Sequence, residues 1–173
     1  SKVEKTLKQE GCAYEMRDPK DDEDPPVLLM NSRPVSPFSA ITELYGLPAY
    51  GSIIDPNPFV MVFFVVFFGM MLADAMYGLL LGIAALVFVK KAKPKGMFRK
   101  FMIVASSVGF SAFVWGAFFG SWFGDFPTAL GKMLGFSWKI PPLLFDPLAE
   151  PMTMLMLSLG LGVIHLFVGM GLS

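Results

Sequence analysis

One stretch limits what this chain can become: PFVMVFFVVFFGMMLADAMYGLLLGIAALVFV, Pro58 to Val89, thirty-two residues with a single ionisable side chain, Asp74. A hydrocarbon core of ~30 Å takes about 20 apolar residues as helix. The run is too apolar for a surface helix and too long for a buried one, so it reads as membrane. As one straight helix it would be ~48 Å long, well over that thickness. A break near Asp74, among Gly69, Asp74 and Gly78, divides it into two short halves.

The rest of the composition agrees. The chain is 54% hydrophobic with a mean hydropathy of +0.59, and only 16% of its residues are charged. The zero net charge hides a segregation. Ser1 to Asn57 holds six basic and ten acidic residues, whereas KKAKPKGMFRK, Lys90 to Lys100, holds six basic residues and no acid. Basic residues beside membrane segments mark the cytoplasmic side. So short a loop between two spans is a poor nucleic-acid surface. One cysteine, Cys12, excludes an intrachain disulfide. The first residues, SKVEKTLKQEG, have no apolar run behind them and are not a signal peptide. The last, GMGLS, stop inside an apolar run, so the chain is expected to be a fragment cut at both ends.

Along the chain, Ser1 to Glu10 reads as the last turns of a helix stopped by Gly11. Arg17 to Pro26 is an acidic, proline-broken linker. Ser36-Pro37 opens a short helix, with Ser36 as N-cap, Pro37 in the first turn and Gly46 at the end. Phe38, Ile41 and Tyr45 share its apolar face. Tyr45 and Tyr50 are candidates for the headgroup level.

Phe101 to Phe123 is an uncharged span of 23 residues. Its small residues, Ala105, Gly109, Ala112, Gly116 and Gly120, step four, three, four and four, a face that lets another helix approach closely. Gly124 to Pro151 is a mixed loop, with Trp138 suggesting the outer membrane surface. In Met152 to Ser173 the small residues Ser158, Gly162 and Gly169 line up with His165, turning the only histidine toward a neighbouring helix.

No phosphate-binding loop and no Cys/His metal spacing is present, so no catalytic site, metal or cofactor is expected. Two residues could carry chemistry at depth, because an ionisable group in a membrane is costly unless paired or wet. Asp74 has two readings: cap of the helix after a break, or member of an ion path. His165 has two as well: an interhelical hydrogen bond to a hydroxyl or carbonyl, or a proton relay.

The stretch Pro37 to Gly78 resembles one family, the membrane-embedded stator subunit of V-type and A-type rotary ATPases, called subunit a or subunit I. The residues that carry the resemblance are Asp55-Pro56-Asn57-Pro58, Phe68-Gly69-Met70-Met71, Asp74 and Tyr77-Gly78. GAFFGSWFG, Gly116 to Gly124, and GVIHLFVGMG, Gly162 to Gly171, are similar to its later membrane segments. Met76 departs from the family, which usually has Gly there.

The resemblance implies an all-α polytopic membrane protein. Residues 1–57 would end a cytoplasmic arm and residues 58–173 would begin the membrane domain. About four membrane helices follow, the first two a short hairpin: about Phe59–Ala73, Ala75–Val89, Phe101–Phe123 and Met152–Ser173. It implies a non-catalytic part in translocating protons or sodium ions, with the proteolipid ring, peripheral-stalk subunits and lipid as partners, in a prokaryotic plasma membrane with a cytoplasmic N-terminal segment. It also implies an essential Arg beyond this stretch, since no Lys or Arg follows Lys139. The rival readings are a self-contained four-segment transporter or channel lined by Asp74 and His165, and a purely structural membrane anchor. The charge rule alone would let Pro58–Val89 cross once, with the acidic N-terminal segment outside.

Overall fold

The computed structural model describes residues 2–11, 13, 15, 25, 27, 29–48, 54–124, 126–135 and 141–172. Cys12, Tyr50, Trp138 and most of the acidic linker lie outside them. Seven α-helices occur among the described residues: α1 (Lys2–Gln9), α2 (Ser39–Tyr45), α3 (Asn57–Leu72), α4 (Ala75–Ala92), α5 (Gly96–Phe119), α6 (Phe126–Leu134) and α7 (Pro151–Leu172). A 3-10 turn, Ser36–Phe38, leads into α2.

Among the described residues three helices, α4, α5 and α7, are long and apolar enough to cross a membrane. The fourth apolar helix, α3, has 16 residues. That is ~24 Å of helix, short of a ~30 Å hydrocarbon core.

The apolar run is interrupted where its one acid stands. Ala73 closes α3 in the left-handed region (φ 42°), its N–H bonding the Gly69 carbonyl at 3.0 Å. Asp74 is extended and starts α4. The chain reverses there, and both helices lean on α5.

The expected hairpin therefore differs in its packing. The helices α3 and α4 meet little, and α5 takes the larger contact with each. Its residue types explain why. Gly109, Ala112 and Gly116 present backbone to α4, whose buried residues Ala75, Gly78, Gly82 and Ala85 recur every three or four positions. A methyl added at Gly109 would stand 2.5 Å from the Gly82 nitrogen and 2.8 Å from the Gly78 oxygen. The Ser106 hydroxyl, on the same side, donates to the Gly82 carbonyl at 3.1 Å. Toward α3, α5 turns Val104 and Val108, which with Phe38 and Ile41 form the buried core, packed by Val60, Met61, Phe64 and Val65. The contacts of α4 run antiparallel to α5 and those of α3 run parallel to it. The start of α3 thus lies at the same end as the basic α4–α5 loop.

The segment before the membrane docks at that end. Phe38 and Ile41 are buried, but Tyr45 is 90% exposed. Only the first turn of α2 crosses α3 and α5, and the helix ends at Gly46, so Tyr45 falls outside the apolar face expected for it. Ser36 lies inside the 3-10 turn, whose cap is Val35 with no side-chain hydrogen bond. The Thr42 hydroxyl donates to the amide oxygen of Asn57, a fully buried side chain. Lys100 Nζ donates to Glu43 Oε1 and to Ser39 Oγ, both at 2.7 Å.

Two boundaries also move. The third apolar helix starts at Gly96, so Arg99 and Lys100 lie in its first turns, and it stops at Phe119. Between Gly124 and Pro151, where a loop is expected, nine residues form α6. Pro127 suits the first turn of a helix, and Phe126, Met133 and Leu134 stay exposed.

Candidate functional site

Asp74 is the centre of the densest polar cluster near the membrane helices. Its side chain accepts five hydrogen bonds. Two come from the start of its own helix, Met76 N–H at 3.0 Å and Tyr77 N–H at 3.1 Å, both to Oδ1. This satisfies donors that a helix start otherwise leaves free. The other three come from the chain just beyond α5. Ser121 Oγ and Gly124 N–H donate to Oδ2 at 3.0 and 3.1 Å, and Phe123 N–H donates to Oδ1 at 3.2 Å.

The end of α5 makes this possible. Gly120 terminates the helix in the left-handed region (φ 71°), and Ser121 N–H returns to the Gly116 carbonyl at 2.9 Å. That turn points the following residues back at Asp74. The Ser121 carbonyl in turn accepts Ala75 N–H at 2.9 Å, so the α3–α4 turn and the α5 end bond in both directions. Beneath them Gly116 faces the Asp74–Ala75 backbone with no room for a side chain. Chemically, the arrangement is a carboxylate saturated with donors. It holds two chain reversals together and leaves little acceptor capacity for a ligand.

The remaining sequence-predicted residues fall as follows. Asp55 Oδ1 accepts Asn57 N–H at 2.9 Å, an Asx turn at the entry to α3. Pro56 caps that helix and Pro58 sits in its first turn. Gly69 faces Ser111 of α5, where a methyl would stand 2.6 Å from the serine Cβ. Gly78 is in the α4–α5 seam. Tyr77 lies edge-on to Phe123, centroids 4.6 Å apart.

Gly109, Ala112 and Gly116 are buried against α4, but Gly120 is past the helix end. A Cβ there would stand 3.0 Å from the Pro142 backbone, not against a helix. Gly162 has nothing described within 4 Å of where a Cβ would be. His165 meets Phe63 and Phe67 of α3, ring centroids 4.4 and 5.7 Å apart. The expected hydroxyl or carbonyl partner is absent among the described residues, because the side of α3 it meets is phenylalanine. Asp74 and His165 are not brought together: His165 lies along α3, and Asp74 lies beyond its end.

Ser121, Phe123 and Gly124 stood in the sequence only within the stretch Gly116 to Gly124, with no role of their own. Their signal is the pair of glycines, Gly120 and Gly124, bracketing a serine directly after an apolar helix.

Known proteins decide what kind of chain carries this arrangement. No family model matches it. The chain is 38% identical to A-type ATP synthase subunit I of Thermococcus kodakarensis, over 92% of this chain and 25% of that protein. This chain is a homologue of A-type ATP synthase subunit I. The subunit I of Methanocaldococcus jannaschii is 33% identical over 93% of this chain and 26% of its own length. V-type ATP synthase subunit I 1 of Treponema pallidum is 32% identical over 68% and 19%. The chain thus spans about a quarter of the length of the archaeal relatives it matches. With its three apolar helices of membrane-crossing length, this subunit I homologue is a membrane protein.

Proposed function

We propose that the chain is the entry portion of the membrane domain of a rotary ATPase stator. In this reading residues 1–57 end the cytoplasmic arm, and residues 58–173 begin the domain that faces the rotating proteolipid ring. The part it plays is non-catalytic. It helps build the surface along which protons or sodium ions move as ATP is hydrolysed or made. The observation that carries the reading is the 38% identity to A-type ATP synthase subunit I over 92% of the chain.

The packing supports a four-crossing arrangement. In its support, α3 and α4 run in opposite directions on α5, as two crossings would, and the segment holding α2 shares an end with the basic α4–α5 loop. Six basic residues favour the cytoplasm for that side. The short α3 crosses with the Asp55–Pro58 turn at one interface and the Asp74 cluster at the other. Asp74 then has a positioning role: it fixes the outer ends of α3, α4 and α5 while the ring turns beside the domain.

Affinity purification through a tag on this protein, from gently solubilised membranes, tests the assignment. The proteolipid and the nucleotide-binding subunits of the synthase should come with it. Recovery without them would contradict a stator role.

A further inference from the structure

At the end of the helices opposite Asp74, a cleft of about 630 Å³ opens between the segment before α2 and the start of α5. Its walls include Asn31, Arg33, Gly96, Arg99, Lys100 and Ile103. We propose that this cleft binds the phosphate of an anionic lipid headgroup.

Four observations carry the assignment. First, the charge is unspent. Lys100 is taken up by Glu43 and Ser39, but neither Arg33 nor Arg99 forms an ion pair with a described residue. Guanidinium groups suit phosphate because they offer paired donors in a fixed plane. Second, the Asn31 side-chain nitrogen is buried and has no acceptor. A buried donor left without a partner is costly, and a small turn of this side chain toward the cleft it lines would let a phosphate oxygen supply one. Third, α5 begins with no side-chain cap and no acid in its first turn. A helix start favours anions through its free N–H groups and its dipole. Gly96, at that start, forms part of the wall.

The fourth observation is position. The cleft lies between the segment before α2 and the first turns of α5, beside the basic α4–α5 loop, the level at which these spans would leave the hydrocarbon. Ile103, one turn beyond Arg99, gives it an apolar inner end. Basic residues clustered directly beside a membrane helix attract anionic lipid headgroups. A soluble anion would gain the charges but not the apolar end. The assignment rests on the membrane placement of α4 and α5 and is independent of the stator reading.

The test uses the full chain in nanodiscs of phosphatidylcholine containing a minority of phosphatidylglycerol, followed by native mass spectrometry. One phosphatidylglycerol should stay bound per chain. Retention should fall about tenfold in Arg99→Gln and in Arg33→Gln, the loss of a charge-assisted hydrogen bond. Lys93→Gln, in the same basic loop but outside the cleft, should leave it unchanged. Thermal unfolding in phosphatidylcholine alone should be the same for all four proteins, which separates lost binding from lost folding. Equal retention in every variant, or an equal loss in Lys93→Gln, would overturn the site. Displacement of the lipid by inorganic phosphate would assign the cleft to the free ion instead.

Discussion

Asp74 accepts the hydroxyl hydrogen of Ser121 at 3.0 Å, joining the turn between two apolar helices to the end of a third. Around that bond gather two N–H donors from α4 and two from the chain after α5. A carboxylate in this setting stabilises the bundle. Asp74→Ala should lower unfolding stability in detergent by ~1–3 kcal/mol, since it strands several donors at once, and Ser121→Ala by about 1 kcal/mol. The two losses should not add in the double variant, because the residues share one network. Additive losses in chemical denaturation would show that the bond contributes nothing.

The seam between α4 and α5 has no room for a side chain at Gly78, Gly109 or Gly116. A methyl at Gly116 would overlap the backbone of Ala75. Gly116→Ala should therefore cost ~1–3 kcal/mol through overpacking. Phe118→Leu, at a position 38% exposed, should cost less. Melting the two variants in the same detergent checks this, and equal melting temperatures would contradict it.

Acid should loosen the docking of α2. The hydrogen bond from Lys100 holds the Glu43 carboxyl below its ordinary value, with Ser39 adding to the effect and slight burial opposing it. A carboxyl with a lowered folded pKa stabilises above its unfolded pKa, and that contribution disappears as pH falls through the folded value. The native protein should be more stable than Glu43→Gln at neutral pH and should lose that lead below the ordinary carboxylate range. A lead unchanged by acid would mean that the Lys100–Glu43 contact does not hold α2.

How much of this could be read from residues alone depended on the kind of signal. The break at Asp74 was legible because one acid interrupts a run of thirty-two residues and costs too much to leave at depth. The α5 face that meets α4 was legible as small residues at helical spacing. Its partner face was not: Gly78 and Gly82 sit in a run so uniformly apolar that no face stands out. Gly120 continued the small-residue spacing, yet it ends the helix, and spacing alone does not separate the two roles. The α6 helix was hidden by its nine residues and internal glycine. His165 followed the small-residue face of α7, but that face meets phenylalanine rather than a close-packed helix. Lys100 was counted as loop charge, and only the fold brings it to Glu43.

The proposed topology rests on the opposite directions of α3 and α4 along α5. With Cys12 replaced, single cysteines at Ser32 and at Lys95 should react with a membrane-impermeant reagent from the same side. Lys95 is exposed and has an ordinary backbone, unlike the left-handed Gly96 beside it. Labelling from opposite sides would mean an odd number of crossings between them and would remove the four-crossing arrangement.

Ion flux tests the central claim, that this chain is part of a stator and not a transporter in itself. Asp74 is engaged by five donors, His165 lies against Phe63 and Phe67, and the two do not meet. One carboxylate and one imidazole so placed make no relay across ~30 Å of hydrocarbon. The measurement is the rate of proton or sodium entry into liposomes holding the chain under an imposed gradient. The account predicts the rate of empty liposomes. A specific flux that Asp74→Asn or His165→Ala abolishes would contradict it.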